Sequence, residues 1–181
     1  ANTLTANDHL LENEYVRIEF NEVTGAIKQI FDKENNCNIC IDSAIGVLMD
    51  ETNADTWGHD TTEREFYRTS IEKFDIEVGR FSKPVFKLLE NGPVRAMLEV
   101  TTVFGKSELI QKFYLCRDEK KVRVRARVNF FEKHKMLKLR FRTDIKNTKA
   151  VCEIPYGFKE ISQNGGEEPC HSWVAMCRDN K

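Results

Sequence analysis

The sequence has little proline and glycine, with four and nine residues among 181, and no long apolar run. These low counts exclude a collagen-like chain and argue against a low-complexity one. A membrane-spanning helix needs about 20 consecutive apolar residues, and no stretch approaches that length. The first residues, ANTLTANDHL, have neither the basic start nor the apolar middle of a signal peptide. With 40% hydrophobic and 31% charged residues, the composition is that of a globular protein, and we expect no membrane partner.

Six cysteines are spread along the chain, and their spacing favours free thiols over a disulfide framework. A chain of this length has room for a hydrophobic core and does not need disulfides to fold. Cys37 and Cys40 have the C-x-x-C spacing of half a zinc site, but Cys170 and Cys177 are too far apart to supply the usual second half. His171, next to Cys170, leaves metal binding open. We expect free, mostly buried thiols and a reducing, cytoplasmic location.

Positive charge is concentrated in one stretch of the sequence. Residues 120–142 contain ten Lys and Arg but one acid, Glu132, so this segment carries +9 and the remainder of the chain −10. The two parts neutralise each other if they lie on adjacent strands. A face of Lys and Arg would also suit phosphates, but base stacking requires aromatic side chains on that same face. Phe130, Phe131 and Phe141 belong to strand ends or to the inward side, so we expect no nucleic-acid partner.

Apolar and polar residues alternate along most of the chain, which predicts antiparallel β-strands. The run EYVRIEF, the turn NEVTG with Gly25 at a positive-φ position, and the run AIKQIF predict a hairpin. The run IEKFDIEVGRF, residues 71–81, has a similar alternation, with Ile71, Phe74, Ile76 and Val78 as the predicted inward residues. Hardly any segment shows helical spacing. The predicted fold class is therefore all-β, a large antiparallel β-sandwich.

The runs VRVRARVNF and MLKLRF predict two further strands, each with one apolar side and one basic side. Basic side chains take the outward positions, because arginine and lysine stems cover apolar surface while their charges stay in water. The predicted inward residues are Val122, Val124, Ala126, Val128, Leu137, Leu139 and Phe141.

Glu132 and His134 are two residues apart within EKHKMLKLRF, residues 132–141, so on a strand they would share a face. A histidine beside a carboxylate is a common acid–base arrangement. Because no nucleophile or metal ligand stands in register with the pair, a structural contact at a hairpin end is the favoured interpretation.

Four ordered stretches carry a resemblance to a known family. LENEYVRIEFNEVTGAIKQIFDKENN opens with the pattern L-E-N-x-x-x-x-V-x-x-x-x-x-T-G-x-I, and NADTWGHD, residues 53–60, is similar to a D-A-W-D turn. NFFEKHKMLKLRF contains E-x-H-K-x-L-K. CEIPYGFKEI and GGEEPCHSW, within residues 152–173, match E-I-P-Y-G and E-x-P-x-x-x-W. Together these stretches resemble the C-terminal β-domain of the α-mannosidases of glycoside hydrolase family 38.

The resemblance implies a galactose-mutarotase-like supersandwich, of which this chain holds a truncated portion. Enzymes of the family are retaining α-mannosidases that use a carboxylate nucleophile and a zinc ion held by Asp and His in an N-terminal domain. None of that domain's motifs are found here, so no catalytic residue and no metal ligand is carried over to this chain. We expect residues 1–8 to be a tag remnant or linker, and residues 9–181 to be a single β-sandwich domain.

This domain is expected to be a non-catalytic fragment of a longer enzyme that hydrolyses α-mannosides in glycan breakdown. A retaining mechanism requires two carboxyl groups about 5 to 5.5 Å apart, and nothing in the spacing of the acids isolates such a pair. The isolated chain is therefore predicted to be inactive. Its expected partners are its own N-terminal catalytic domain, which binds the zinc, and through that domain an α-mannoside.

The turn DTWGHD is the first candidate for a contact with substrate in the intact enzyme. Trp57 offers a flat apolar surface to a sugar ring, and carboxylates such as Asp55 and Asp60 accept hydrogen bonds from hydroxyl groups. His59 belongs to the same turn, in which Gly-His-Asp follows the tryptophan and shifts the last acid out of the family's register. The favoured alternative is that Trp57 fills the sandwich end or a domain interface.

A second group of candidates lies near the C-terminus, in loops that contain Pro155 and Pro169. Proline cannot donate a hydrogen bond to a sheet, so it marks strand ends or edges. A restricted loop that carries these side chains could line a cleft, although packing against the sandwich rim is favoured. The candidates are Tyr156, Glu167, Glu168 and Trp173.

Two alternatives to the α-mannosidase domain remain open. One is a stand-alone carbohydrate-binding module centred on exposed Trp57 or Trp173. The other is a nucleic-acid-binding domain that uses the arginine face of residues 123–127. The ordered motifs favour the α-mannosidase domain over both. An incomplete sandwich would also expose a strand edge, and exposed edges invite pairing, so we expect self-association into a homo-oligomer.

Overall fold

The computed structural model describes residues 4–51, 76–162 and 170–178. These residues form strands, turns and irregular segments, and no helix occurs among them. The all-β prediction is thus confirmed. Within the same ranges there is no helix that is long and apolar enough to cross a membrane.

The strands in the described residues follow one another with short connections, apart from the stretches between β5 and β6 and between β13 and β14. In chain order they are β1 (Thr5–Asn7), β2 (Leu10–Glu12), β3 (Val16–Phe20), β4 (Ile27–Asp32), β5 (Cys37–Asp50), β6 (Glu77–Arg80), β7 (Ser82–Asn91), β8 (Arg95–Phe104), β9 (Ser107–Cys116), β10 (Val122–Asn129), β11 (Lys135–Thr143), β12 (Thr148–Ile154), β13 (Gly157–Ile161) and β14 (Val174–Arg178).

These strands form three antiparallel sheets. The first sheet has the order β1-β2-β3-β4-β5-β11, and β6 also pairs with β5. The second sheet has the order β10-β9-β8-β7, and the third has the order β13-β12-β14. Strand β11 pairs with the distant β5, from Lys135 opposite Asp50 to Thr143 opposite Cys40. β1 lies within the first eight residues and is the edge of the first sheet.

The first and second sheets face each other and enclose the main core, which is the arrangement of a β-sandwich. Phe20 of β3 meets Phe113 of β9 edge to face, with ring centroids 4.9 Å apart. The apolar residues buried between the sheets are Leu11, Val16, Ile18, Phe20, Ile27, Cys40, Ala44, Ala96, Leu98, Val100, Phe113 and Leu115. A smaller cluster of Leu48, Phe81 and Leu109 continues this core toward β11.

The buried side chain of Asn13 connects the two sheets. Its Nδ2 donates to the main-chain oxygens of Cys116, Arg117 and Glu119, at 2.8, 3.2 and 2.8 Å. Its Oδ1 accepts from the main-chain nitrogens of Tyr15 and Val16, at 2.9 and 2.8 Å. Asn13 therefore joins the β2–β3 turn to the β9–β10 turn and satisfies groups that would otherwise be buried without partners.

The predicted hairpin is present as β3 and β4. Asn21 closes the turn, because its Oδ1 accepts from the main-chain nitrogens of Val23 and Thr24. Gly25 has a φ of 76°, in the region that favours glycine, as the sequence predicted. The turn also lies close to the second sheet, because a Cβ on Gly25 would come within 2.9 Å of Pro84.

The inward positions predicted for residues 71–81 are wrong where the structure describes them. Strand β6 begins at Glu77, while Ile76 and Val78 are exposed. The inward position is Gly79, where the ring of Phe104 occupies the space that a side chain would need. Glu77 instead pairs with Arg140 of β11, at 2.8 Å. The predicted inward residues 71 and 74 lie outside the described residues.

The side chains of β10 alternate as predicted, but none of the predicted inward residues of β10 and β11 is buried, and Val122 and Leu137 are half-buried at best. Val124 of β10 lies opposite the buried Phe113 and is still 38% exposed, while Leu139 and Phe141 of β11 are 39% and 53% exposed. Both strands end their sheets among the described residues, and no further strand of those residues lies beside them. The described part of the sandwich is therefore open on the side where β10 and β11 lie.

Candidate functional site

The structure brings two of the predicted candidates, Tyr156 and Trp173, to the same end of the third sheet. The candidates of the DTWGHD turn, Asp55, Trp57, His59 and Asp60, lie outside the described residues. The same holds for Glu167 and Glu168.

Tyr156 stands at the tip of the hairpin that joins β12 to β13. Ile154 pairs with Gly157, so the loop consists of Pro155 and Tyr156 alone. Tyr156 has a φ of 65° and is fully exposed. Proline followed by a residue of positive φ is the arrangement of a type II turn, in which the second position favours glycine. The interpretation that Tyr156 packs against the sandwich rim is therefore wrong, and the turn presents its ring to solvent in a strained conformation.

Two more aromatic residues lie beside this tip. Phe158 is directly opposite Glu153 in the β12–β13 pair and is 71% exposed. The main-chain nitrogen of Glu153 donates to the oxygen of Trp173 at 3.1 Å, so Trp173 continues the row on the other side. Trp173 is 42% exposed. We call Tyr156, Phe158, Trp173 and Glu153 the aromatic end of the third sheet.

Glu153 fixes the chain around Trp173. Its carboxylate accepts from the main-chain nitrogen of Ser172 at 2.9 Å and from the Ser172 hydroxyl, while its main-chain oxygen accepts from the nitrogen of His171 at 3.0 Å. The hydrogen bond from the Ser172 hydroxyl, followed by that from its main-chain nitrogen, holds the pKa of Glu153 below its ordinary value. The group is therefore an ionised acceptor at neutral pH.

This combination of groups suits a carbohydrate. Exposed aromatic rings cover the apolar face of a sugar, and an ionised carboxylate accepts hydrogen bonds from its hydroxyl groups. Glu153 therefore places a hydrogen-bond acceptor beside exposed aromatic rings, which is an arrangement that can bind a sugar.

The pKa of Glu153 gives a pH-dependent prediction. Because this pKa is lowered in the folded protein, the stabilisation is present above the ordinary glutamate value of 4.5 and is lost as the pH falls through the folded value. We expect the Ser172 amide to exchange faster with solvent at pH 3 than at pH 6, after correction for intrinsic exchange. Hydrogen exchange measured by NMR tests this, with Glu153→Gln as the control whose profile should be flat. Equal profiles for the two proteins would contradict it.

The predicted contact between Glu132 and His134 is not formed. Residues 130–134 connect β10 to β11 and are not part of a strand, so the face-sharing argument does not apply. The Glu132 Oε1 instead accepts from the Ser107 hydroxyl at 3.0 Å, at the β8–β9 turn. His134 has a φ of 52°, and its main-chain oxygen accepts from the nitrogen of Glu51. Both residues hold the β10–β11 connection in place through these hydrogen bonds, and the two side chains do not form an acid–base pair.

The thiols are free, but the prediction that most are buried is wrong. Cys40 and Cys152 are buried, whereas Cys170 and Cys177 are exposed. Burial raises the pKa of the Cys40 thiol, which disfavours the thiolate that a metal ligand requires. Across the ranges that the structure describes, no three His, Cys, Asp or Glu side chains come together as a metal site would need. The described residues therefore do not group the ligands that a zinc ion would need.

Sequence reasoning missed Phe158 and Glu153. The role of these two residues depends on which strands pair. From sequence alone, a phenylalanine after a Pro-Tyr-Gly turn looks like an ordinary strand residue. A two-residue hairpin at Pro155 was the available signal, because it would have placed residue 158 opposite residue 153.

The fold and this end of the third sheet define an all-β domain of the sandwich type with an exposed aromatic surface. The family model for the C-terminal domain of the glycosyl hydrolases of family 38 matches residues 11–181. The chain belongs to this family, and it is thus a domain associated with a glycoside hydrolase. A search of curated proteins gave no match.

Proposed function

We propose that the chain is the non-catalytic β-sandwich domain of a retaining, metal-dependent α-mannosidase that takes part in glycan breakdown. Membership of the family supports a glycosidase parent. Under this proposal the nucleophile and the zinc site belong to an N-terminal catalytic domain, the chain's main partner. The exposed thiols Cys170 and Cys177 support a reducing, cytoplasmic location.

The aromatic end of the third sheet carries the more specific part of the proposal, that this domain rims the active site of the parent. Tyr156 retains a strained φ at a turn that glycine would fit better, and it is fully exposed. Strain of this kind costs about 1 to 3 kcal/mol and persists at ligand contacts more often than elsewhere. A ring held out at a hairpin tip is suited to contact a sugar bound in a neighbouring domain.

Hydrolysis of a chromogenic α-mannoside, with added zinc, by the 181-residue chain and by the parent polypeptide tests the proposal. Activity in the parent alone is the expected result. Activity in the isolated chain would overturn the non-catalytic role. If neither hydrolyses the substrate but the chain alone binds mannosides, with a change in Trp173 fluorescence, the stand-alone binding module is correct instead.

Tyr156→Gly in the parent tests the contact with substrate. The change removes the ring and relieves the positive φ, so folding should be unaffected, while kcat/KM should fall about 5-fold because an aromatic stacking contact contributes roughly 1 kcal/mol. Phe131→Ala is the matched control, since Phe131 is an exposed aromatic residue on the β10–β11 connection. If kcat/KM is the same for both variants, Tyr156 does not contact the substrate.

A further inference from the structure

The outer face of the second sheet, turned away from the core, contains a groove. Arg123 and Met97 both lie opposite Tyr114, and Arg125 lies opposite Lys112, so side chains of β8, β9 and β10 meet on this face. The larger part of the groove encloses about 420 Å³, within the range of small-molecule sites. A second part of about 280 Å³ shares Tyr114 and Arg125 with it. We call the two parts the basic groove.

The cations of the basic groove differ in whether an acid already neutralises them. Arg95 binds Glu90 through two hydrogen bonds of 2.7 and 2.6 Å. Arg123 pairs with Glu119 at 2.9 Å, and Lys112 pairs with Glu99 at 3.2 Å. These three side chains therefore contribute little net charge to a ligand.

Arg125 and Arg127 are the remaining cations of the basic groove. Neither forms an ion pair with an acid within the part of the chain that the structure describes. Arg125 lies directly opposite Lys112 on the same face, and because Lys112 already pairs with Glu99, that acid is not left to neutralise Arg125. Arg125 also borders both parts of the groove. A bound anion would neutralise both guanidinium groups.

The groove also has an apolar side, formed by Met97 and the ring of Tyr114. The guanidinium carbon of Arg95 lies 5.6 Å from the centroid of this ring, so one face of the ring is covered. Stacking of successive bases needs several free aromatic faces, and the lining offers a single aromatic residue. This favours a compact ligand that has one anionic group and one uncharged body.

We propose that the basic groove binds a phosphorylated sugar, with the phosphate held by Arg125 and Arg127. A phosphate monoester carries a charge of about −1.5 to −2 at pH 7, which matches two unpaired guanidinium groups, and the planar guanidinium suits its oxygens. The sugar would lie against Tyr114 and Met97. The carbohydrate part of the proposal follows from the chain's family. It does not require the α-mannosidase reaction, so the two proposals succeed or fail separately.

Titration calorimetry with the 181-residue chain at low salt tests the proposal, with mannose 6-phosphate, mannose and inorganic phosphate as probes. Mannose 6-phosphate should bind measurably, inorganic phosphate more weakly, and mannose not at all at this site. Arg125→Gln should weaken binding of mannose 6-phosphate about 10-fold or more, because a charged hydrogen bond contributes roughly 1.5 to 3 kcal/mol. Arg142→Gln is the control: it removes the same charge from β11, outside the groove, and should change binding less than 2-fold.

Several results would overturn the proposal. Absence of mannose 6-phosphate binding, or equal weakening by both variants, would exclude a specific site at Arg125. Equal affinity for inorganic phosphate would show that the sugar is not recognised. Tighter binding of a thymidine oligonucleotide that Arg125→Gln also abolishes would assign the groove to nucleic acid. Arg125→Gln should fold normally, since the Arg125 side chain is exposed, and a thermal melt checks this.

Discussion

Replacing Asn13 with aspartate should lower the free energy of unfolding by about 3 to 5 kcal/mol, since it breaks the hydrogen bonds of the amide nitrogen and introduces a buried charge. The amide nitrogen now donates to the main-chain oxygens of Cys116, Arg117 and Glu119. An aspartate oxygen in that place would face the same three oxygens as a second acceptor. Because the side chain is completely buried, water cannot take over these hydrogen bonds.

Urea denaturation of the two proteins measures this loss, and Asn21→Asp is a matched control. Asn21 uses its side-chain oxygen as an acceptor for the nitrogens of Val23 and Thr24, and aspartate keeps that function. The control should therefore change stability by less than about 0.5 kcal/mol. If Asn13→Asp is as mild as Asn21→Asp, the link between the two sheets does not stabilise the fold.

Gly25→Ala should cost about 2 to 5 kcal/mol of stability. Alanine at a φ of 76° is strained by roughly 1 to 2 kcal/mol. Its Cβ would also lie 2.9 Å from the Pro84 Cβ, 2.9 Å from the Thr102 Cγ2 and 3.1 Å from the Val100 Cγ1. Relieving those contacts would push the β3–β4 turn away from the second sheet, and overpacking of this kind costs about 1 to 3 kcal/mol.

The midpoint of urea unfolding, compared with that of Gly157→Ala, measures the cost of Gly25→Ala. A Cβ on Gly157 would meet no atom within 4 Å, so the control makes the same change in open space. Similar midpoints for the two variants would mean that the turn of residues 21–26 moves away from the second sheet at little cost.

The local features of the fold could be predicted from the sequence, because strand alternation and turn chemistry act over a few residues. The β3–β4 hairpin is the clearest example, since Asn21 and Gly25 specify the turn and the alternating residues specify the strands. The basic and apolar sides of β10 followed from the same two-residue period.

Burial could not be predicted where it depends on a distant partner. At β6, the core space beside Gly79 is filled by the ring of Phe104, so the strand does not use its own apolar residues for the core. Val124 and Phe141 have the right periodicity for burial, yet they face the open side of the sandwich. A pattern of alternation gives the direction of a side chain but does not say what covers it.

The candidate site was predictable to a similar extent. Tyr156 and Trp173 were suggested by motifs, but their position at one end of the third sheet depends on the pairing of β12 with both β13 and β14. The unpaired charge of Arg125 likewise depends on which acids lie across from β10. The sequence placed three arginines on one face and could not show that Arg123 alone among them pairs with Glu119.

The pairing of β11 with β5 has a consequence for folding during synthesis. Most of the other strands pair with a neighbour in the chain and form as soon as the second strand has left the ribosome, but β5 waits for β11 until residue 143 has been made. At about 5 to 20 residues per second, that interval is of the order of 5 to 20 s. Throughout it, one edge of β5 is open to wrong partners. A nascent chain of this domain is therefore most vulnerable to mispairing between the completion of β5 and the arrival of β11.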